Sequence, residues 1–257
     1  MKYAMISRTG ERELNEDAVG AEVLQGAACF VLCDGLGGHD RGEVASQTAV
    51  QEALERFRRA AEAGGLDPGD CLRDAFSAAQ DGIFRKQKES RDQADMKTTM
   101  TVLLFSGNGR TWGHIGDSRV YRFRAGKLLS RTRDHSVPEM LVKSGEIKES
   151  QIRFHEDRNR LLRVLGTPSD TPRWEIAETV EGKERDAFLL CTDGFWEWIT
   201  EREMTECLRA SRSPGEWLSL MEKRILSAGQ GKGMDNYSAI AVWQGEAFKA
   251  GGLFGLF

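Results

Sequence analysis

Acidic side chains recur in this chain where an apolar run meets a turn. Asp34 ends the run in FVLCDGLGG, Asp117 follows WGHIG, and Asp193 follows FLLCT. Asp235 reverses the order and stands just before the run in KGMDNYSAIAV, while Glu16 and Asp17 close the segment GERELNED that also carries Arg12. Asp-Gly alone signals only a turn. A strand end projecting from a packed core is also a rigid mount, and several mounts at one sheet edge hold carboxylates at fixed separations. Like charges held that close call for a cation. Carboxylates, backbone carbonyls and water suit Mg²⁺ or Mn²⁺, whereas zinc recruits His or Cys. The histidines (His39, His114, His135, His155) show no His-x-x-x-His spacing, and the cysteines form no Cys-x-x-Cys pair. Glycine at position 35 lets its carbonyl approach an ion with no side chain intruding. Two divalent ions about 3.5 to 4 Å apart bridge and acidify a water. Arg12 adds a bidentate fork for phosphate oxygens. The set is the equipment of a phosphoester hydrolase.

These side chains need elements to carry them. AACFVLCDG (27–35) is a continuous apolar run closed by Asp-Gly and reads as a strand buried on both faces. After it, Val44, Ala45, Ala49, Ala53, Leu54 and Phe57 fall near helical spacing up to a stop at Gly64-Gly65. The segment after Pro68 repeats the pattern with Cys71, Leu72, Ala75, Phe76, Ala79 and Phe84, so two consecutive amphipathic helices are predicted. TTMTVLLF (98–105), TWGHIGD (111–117), RVYRFRAG (119–126) and KLLSRT (127–132) read as a meander that turns at Gly107-Asn108-Gly109 and Ala125-Gly126. Residues 136–165, charged and interrupted by Pro138 and Gly145, read as short helices in an excursion from the sheets. Strand patterns return in RWEIAETV and DAFLLCTDG, helical ones near 201–209 and 213–228, and NYSAIAVW (236–243) is a last strand. Helix pairs segregated from mostly antiparallel strands predict an α+β layered fold rather than a doubly wound one. With no long linker, a single domain over 1–246 is expected, followed by the apolar, glycine-rich tail AFKAGGLFGLF (247–257), a loosely docked terminus.

Composition narrows the partners. The 257 residues are 40% hydrophobic, enough for a substantial core, and 36 basic against 40 acidic residues leave a net charge of −4. Bulk electrostatics therefore favours neither nucleic acid nor a membrane surface, and substrate charge must be met locally. Cys29, Cys33 and Cys191 sit in strand-like runs as small hydrophobes and, with Cys71 and Cys207, suggest a reducing compartment. MKYAMISRTGERELNED lacks the apolar region of a signal peptide, and no run nears the roughly 18 apolar residues of a membrane span, so a cytoplasmic protein is expected. Trp196 and Trp198 read as packing, Arg119 as a turn anchor, and Thr98 and Thr99 as strand residues near the cleft.

The ordered motifs RELNED, DGLGGHDRGEVAS, TTMTVLLF, GHIGDSRVYRFRAGKL, TRDHS, LLRVLG, LLCTDGFWEW and DNYSAIAV run through most of the chain. In them the sequence resembles the metal-dependent Ser/Thr protein phosphatases of the PPM, or type 2C, family, in its compact bacterial branch. The resemblance implies a four-layer α-β-β-α sandwich, two central antiparallel sheets flanked by helix pairs, with a two-ion Mn²⁺ or Mg²⁺ centre at one edge. It implies that Asp34 bridges both ions and Gly35 lends its carbonyl to one. Asp193 and Asp235 complete one site, and Glu16 and Asp17 serve the other. Arg12 grips the substrate phosphate. Asp117, with Asp193, helps hold a third, weaker ion, and 136–165 corresponds to the substrate-choosing flap. The implied activity is hydrolysis of phosphoserine and phosphothreonine by metal-activated water with no covalent intermediate. The implied partners are phosphoproteins, made by a bacterial Ser/Thr kinase, met by a monomeric enzyme. Some eukaryotic relatives carry a general-acid His two residues after the bridging Asp; here that position is Leu36, and His39 lies further along the loop. The alternatives are a non-catalytic phosphoprotein-binding scaffold of the same fold and a phosphohydrolase of small molecules.

Overall fold

The computed structural model describes residues 1–37, 41–89, 93–107, 109–169, 173–183 and 185–245, so His39, Asn108 and the tail 247–257 lie outside them. The chain opens with strands β1 (Lys2–Arg8), β2 (Asp17–Leu24) and β3 (Ala27–Leu36) and helices α1 (Gly42–Ala63) and α2 (Pro68–Glu89). Strands β4 (Lys97–Thr98), β5 (Met100–Ser106), β6 (Gly109–Ile115), β7 (Arg119–Arg124) and β8 (Lys127–Arg131) follow. The excursion holds α3 (Val137–Ser144) and a 3₁₀ turn at Glu149–Phe154. Then come β9 (Glu175–Ile176), β10 (Val180–Glu181), β11 (Asp186–Cys191), α4 (Asp193–Trp196), α5 (Glu201–Ala210), α6 (Pro214–Gly229) and β12 (Tyr237–Trp243).

The strands form two antiparallel sheets. One runs β1-β12-β11-β7-β8; the other runs β10-β6-β5-β3-β2, with β4 paired to β3 and β9 to β6. Side-chain alternation explains the unbroken apolar runs. On β3, Cys29, Val31 and Cys33 pack under α1 and α2, while Ala28, Phe30 and Leu32 face the other sheet. On β12, Ala239, Ala241 and Trp243 pack among α5 and α6, while Ile240 and Val242 meet Phe30, Phe105 and Phe188 between the sheets. A strand covered on both faces has no polar side, hence its continuous hydrophobicity. The order is helix pair, sheet, sheet, helix pair, as expected.

Several local readings change. TTMTVLLF is split at Thr99, and DAFLLCTDG leaves the sheet at Cys191, so Asp193 begins a helix instead of ending a strand. RWEIAETV yields only the two-residue strands β9 and β10. Strands β1 and β2 carried no alternating signal: each lies at a sheet edge, and Tyr3, Met5 and Val23 point apolar side chains to solvent.

Arg119 is an anchor, as read from the sequence, but a buried one. Its Nε and Nη2 donate to the two Asp134 oxygens at 2.8 and 2.6 Å, and the side chains are only 3% and 1% exposed. The guanidinium also lies 3.5 Å over the Trp196 ring. Removing one partner of a buried pair strands the other charge, at a cost of about 3–5 kcal/mol. Asp134→Ala is expected to lower unfolding free energy by about that much in urea titrations, and the double variant Arg119→Met/Asp134→Ala to recover most of it.

Candidate active site

The acids continue the rows of the inter-sheet layer past its end. Asp34 follows Phe30 and Leu32 on the same face of β3, and its register partner is Asp17, the first residue of β2. Two carboxylates thus stand opposite each other, a pairing that like charge disfavours. From the other sheet, Asp193 opens α4 and Asp235 precedes β12, while Asp117 occupies the turn between β6 and β7. Arg12, Glu16, Asp34, Gly35, Asp117, Asp193 and Asp235 line one cleft of about 390 Å³, walled also by Leu36, Asn159, Leu161 and Asn236. Asp17 stands behind this wall, buried, its Oδ2 accepting from Thr192 Oγ1 at 3.1 Å and its Oδ1 without a hydrogen-bond partner.

Crowding and burial oppose ionisation here. Burial pushes Asp34 and Asp117 well above the usual carboxylate range. Burial and the Asp235 charge raise Asp193, burial raises Glu16, and burial takes Asp17 up to about 8. Asp34 donates a hydrogen bond to Asp193, which raises Asp34. Uncompensated buried acids, one with an orphaned oxygen, form a donor set of oxygens that a hard divalent cation would satisfy, so Mg²⁺ or Mn²⁺ fits these residues. Gly35 is required by close approach: a Cβ there would collide with the carbonyl oxygens of Gly42 and Glu16. Arg12 donates from Nη2 to Asp235 Oδ2 at 2.8 Å while 57% of its side chain stays exposed at the cleft.

The framework holding the acids is largely polar, and little of it was foreseen. Thr98 Oγ1 donates to the Asp34 carbonyl at 2.8 Å, and Thr99 Oγ1 accepts from the Asp34 amide at 3.0 Å. Asn236 ties the 9–16 loop, its Oδ1 accepting from Glu16 N and its Nδ2 donating to the carbonyls of Thr9 and Leu14, all at 2.8 Å. Trp196, read as packing alone, donates from Nε1 to the Asp117 carbonyl at 3.0 Å. Glu197, raised to about 7 by burial, takes Arg158 Nε at 2.9 Å. Motif membership pointed to Asn236 and Glu197, which lie in DNYSAIAV and LLCTDGFWEW; nothing in their spacing did.

Glu11 was also missed. Its Oε1 accepts from Gly231 N at 2.5 Å and its Oε2 from Gly233 N and Met234 N at 2.6 and 3.1 Å. Those amide hydrogen bonds hold its carboxyl below the usual range. One carboxylate thereby fixes the loop that leads into Asp235. Glu11→Ala is expected to raise amide hydrogen-exchange rates at Gly231, Gly233 and Met234 while leaving β12 unchanged.

The two-sheet sandwich superposes on solved bacterial serine/threonine phosphatases. The Mycobacterium tuberculosis phosphatase PstP/Ppp superposes with a TM-score of 0.82 at 30% identity, over 95% of this chain and 98% of that one. The PstP catalytic domain in complex with two manganese ions superposes with a TM-score of 0.76 at 29% identity, over 93% and 96% of the two chains. In sequence, PstP of M. tuberculosis is 32% identical over 94% of this chain and 45% of its own length. The serine/threonine phosphatase stp of Listeria welshimeri is 28% identical over 90% of each. The chain thus spans less than half the length of PstP and nearly all of stp. The protein phosphatase 2C family profile matches residues 7–228. The chain belongs to that family.

Proposed function

We propose that this protein is a Mn²⁺- or Mg²⁺-dependent phosphatase of phosphoserine and phosphothreonine in proteins. The observation that carries the reading is the convergence of Asp34, Asp117, Asp193 and Asp235 from two sheets into one cleft beside Arg12. Asp34, Gly35, Asp193, Asp235, Glu16 and Asp17 would hold two cations, with Asp117 and Asp193 for a weaker third. When bound, the cations supply Lewis acidity, acidifying water and neutralising phosphate charge. Asp235 orients the Arg12 guanidinium, whose exposed edge takes phosphate oxygens. Asn236 keeps Glu16 and the Arg12 loop against the cleft. Five buried free thiols suit a reducing cytoplasm, and among the described residues no helix is long and apolar enough to cross a membrane. In this reading the substrates are made by a Ser/Thr kinase, and one copy, a single domain over 1–246, forms the whole cleft.

The test compares phosphate release from phosphopeptides and from nucleotides in Mn²⁺ and in EDTA. Mn²⁺-dependent release favouring phosphopeptides is the expected result. Tight phosphopeptide capture without release would support a scaffold instead, and faster nucleotide turnover a small-molecule phosphohydrolase.

A further inference from the structure

His135 lies outside the cleft yet holds the peptide group that precedes one of its acids. Its backbone N–H donates to the Gly116 carbonyl at 2.9 Å, and its ring Nδ1 accepts from the Gly116 amide at 3.2 Å. One residue therefore engages both polar groups of Gly116, directly before Asp117. That turn has little freedom of its own: Gly116 sits at φ +98°, and a Cβ there would meet Thr99 Cγ2 at 2.6 Å.

The same histidine reaches the cleft wall and the excursion. Its carbonyl accepts from Leu162 N at 2.8 Å, next to the cleft-lining Leu161. Its Nε2 lies 3.1 Å from Glu175 Oε1, and Glu175 lies 3.4 Å from Arg163 Nη1. Its ring stacks on His114, centroids 4.6 Å apart and planes 18° from parallel, and His114 Nε2 bonds the Arg133 carbonyl at 2.7 Å.

His114, His135 and Glu175 are close enough to be considered as a cation site. Near-parallel rings, however, direct their in-plane lone pairs along separate planes, away from a common ion. The Gly116 amide also claims the Nδ1 lone pair of His135, which puts the single ring proton on Nε2, the nitrogen 3.1 Å from Glu175 Oε1. Burial and the neighbouring His114 take His135 down to about 4, so the ring is neutral near pH 7 and keeps that acceptor.

We propose that His135 is a positioning residue: through Nδ1 it sets the Gly116–Asp117 turn, and through Glu175 and Leu162 it ties that turn to residues 155–165 at the cleft wall. The proposal rests on the phosphatase reading only for its effect on catalysis. Its structural half is read without activity.

Two amide substitutions separate the roles of the two ring nitrogens. Asparagine in place of His135 offers an oxygen near the Nδ1 position, whereas glutamine there reaches toward Glu175 and leaves the Gly116 amide unmatched. In His135→Gln, amide exchange at Gly116 is expected to accelerate at least about tenfold, and the Mn²⁺ concentration for half-maximal activity to rise about 10-fold or more with KM for phosphopeptide little changed. His135→Asn is expected to restore both to within about threefold of the unsubstituted protein, and Glu175→Gln to fall between. In an Asp117→Asn background, His135→Gln adds no further loss of activity. Equal impairment of the two His135 variants, or a His135→Gln effect fully additive with Asp117→Asn, overturns the proposal. So does stoichiometric Zn²⁺ binding in an Asp34→Asn background that His135→Asn removes. If the unsubstituted protein releases no phosphate in Mn²⁺, the phosphatase reading fails, while Gly116 exchange still decides the positioning role.

Discussion

Replacing Asp34 by Asn is expected to lower phosphopeptide turnover in Mn²⁺ by at least about a hundredfold while making the cation-free protein melt at a higher temperature. Both effects follow from one environment. Asp34 is held well above its ordinary range by burial and by Asp17, Asp193 and Asp117 around it. Asn keeps the size and one oxygen, and its amide can still donate toward Asp193 as the protonated acid does. What it removes is an acid that the empty fold can bury only by taking up a proton that the unfolded chain has released, and whose ionised form attracts cations. For a chain of this size each kcal/mol of relief raises Tm by about 2–4 °C. Thermal melts in EDTA and phosphate-release assays in Mn²⁺ check the two halves. A variant that loses both activity and stability would make Asp34 a structural residue.

Stability of the cation-free protein is expected to fall as pH rises from about 4 to about 8, the reverse of ordinary acid denaturation. Burial raises Asp17 from the ordinary 3.8 to about 8. Between those values the folded chain binds a proton that the unfolded chain has released, so each rise in pH favours unfolding. The contribution of Asp17 is fully present below the unfolded value and is lost as pH approaches 8. At about 1.4 kcal/mol per pH unit, this one group can remove on the order of 5 kcal/mol across the window. Urea titrations in EDTA at pH 5 and pH 8 measure the slope. Saturating Mn²⁺ is expected to flatten or invert it, because cations bind the ionised carboxylates. A cation-free protein more stable at pH 8 than at pH 5 contradicts the electrostatics assigned to Asp17.

The layers were legible because their signals are local. Helical spacing in 42–63 and 68–89 and unbroken apolar runs in β3, β5, β11 and β12 each state how many faces an element buries. The edge strands β1 and β2 were not, because half-exposed strands with apolar residues on both faces carry neither pattern. The candidate site was legible as residue types at turn positions, and five dispersed segments do meet in one cleft. What no spacing could reveal is which groups hold them. The Thr98–Asp34 and Asn236–Thr9 bonds, the Glu11 carboxylate on the 231–234 amides, and the Trp196 indole on Asp117 all join residues more than 60 positions apart. Their partners exist only once the sheets have packed.

Asp17 and Asp34 belong to one sheet, while Asp193 opens the helix that follows β11 and Asp235 stands just before β12, both strands of the other sheet. Whatever neutralises both pairs at once therefore acts as a rivet through the two leaves of the sandwich. Loading that rivet should make the halves come apart together rather than one by one, so cooperativity would be set at the mouth of the molecule as much as in its oily middle.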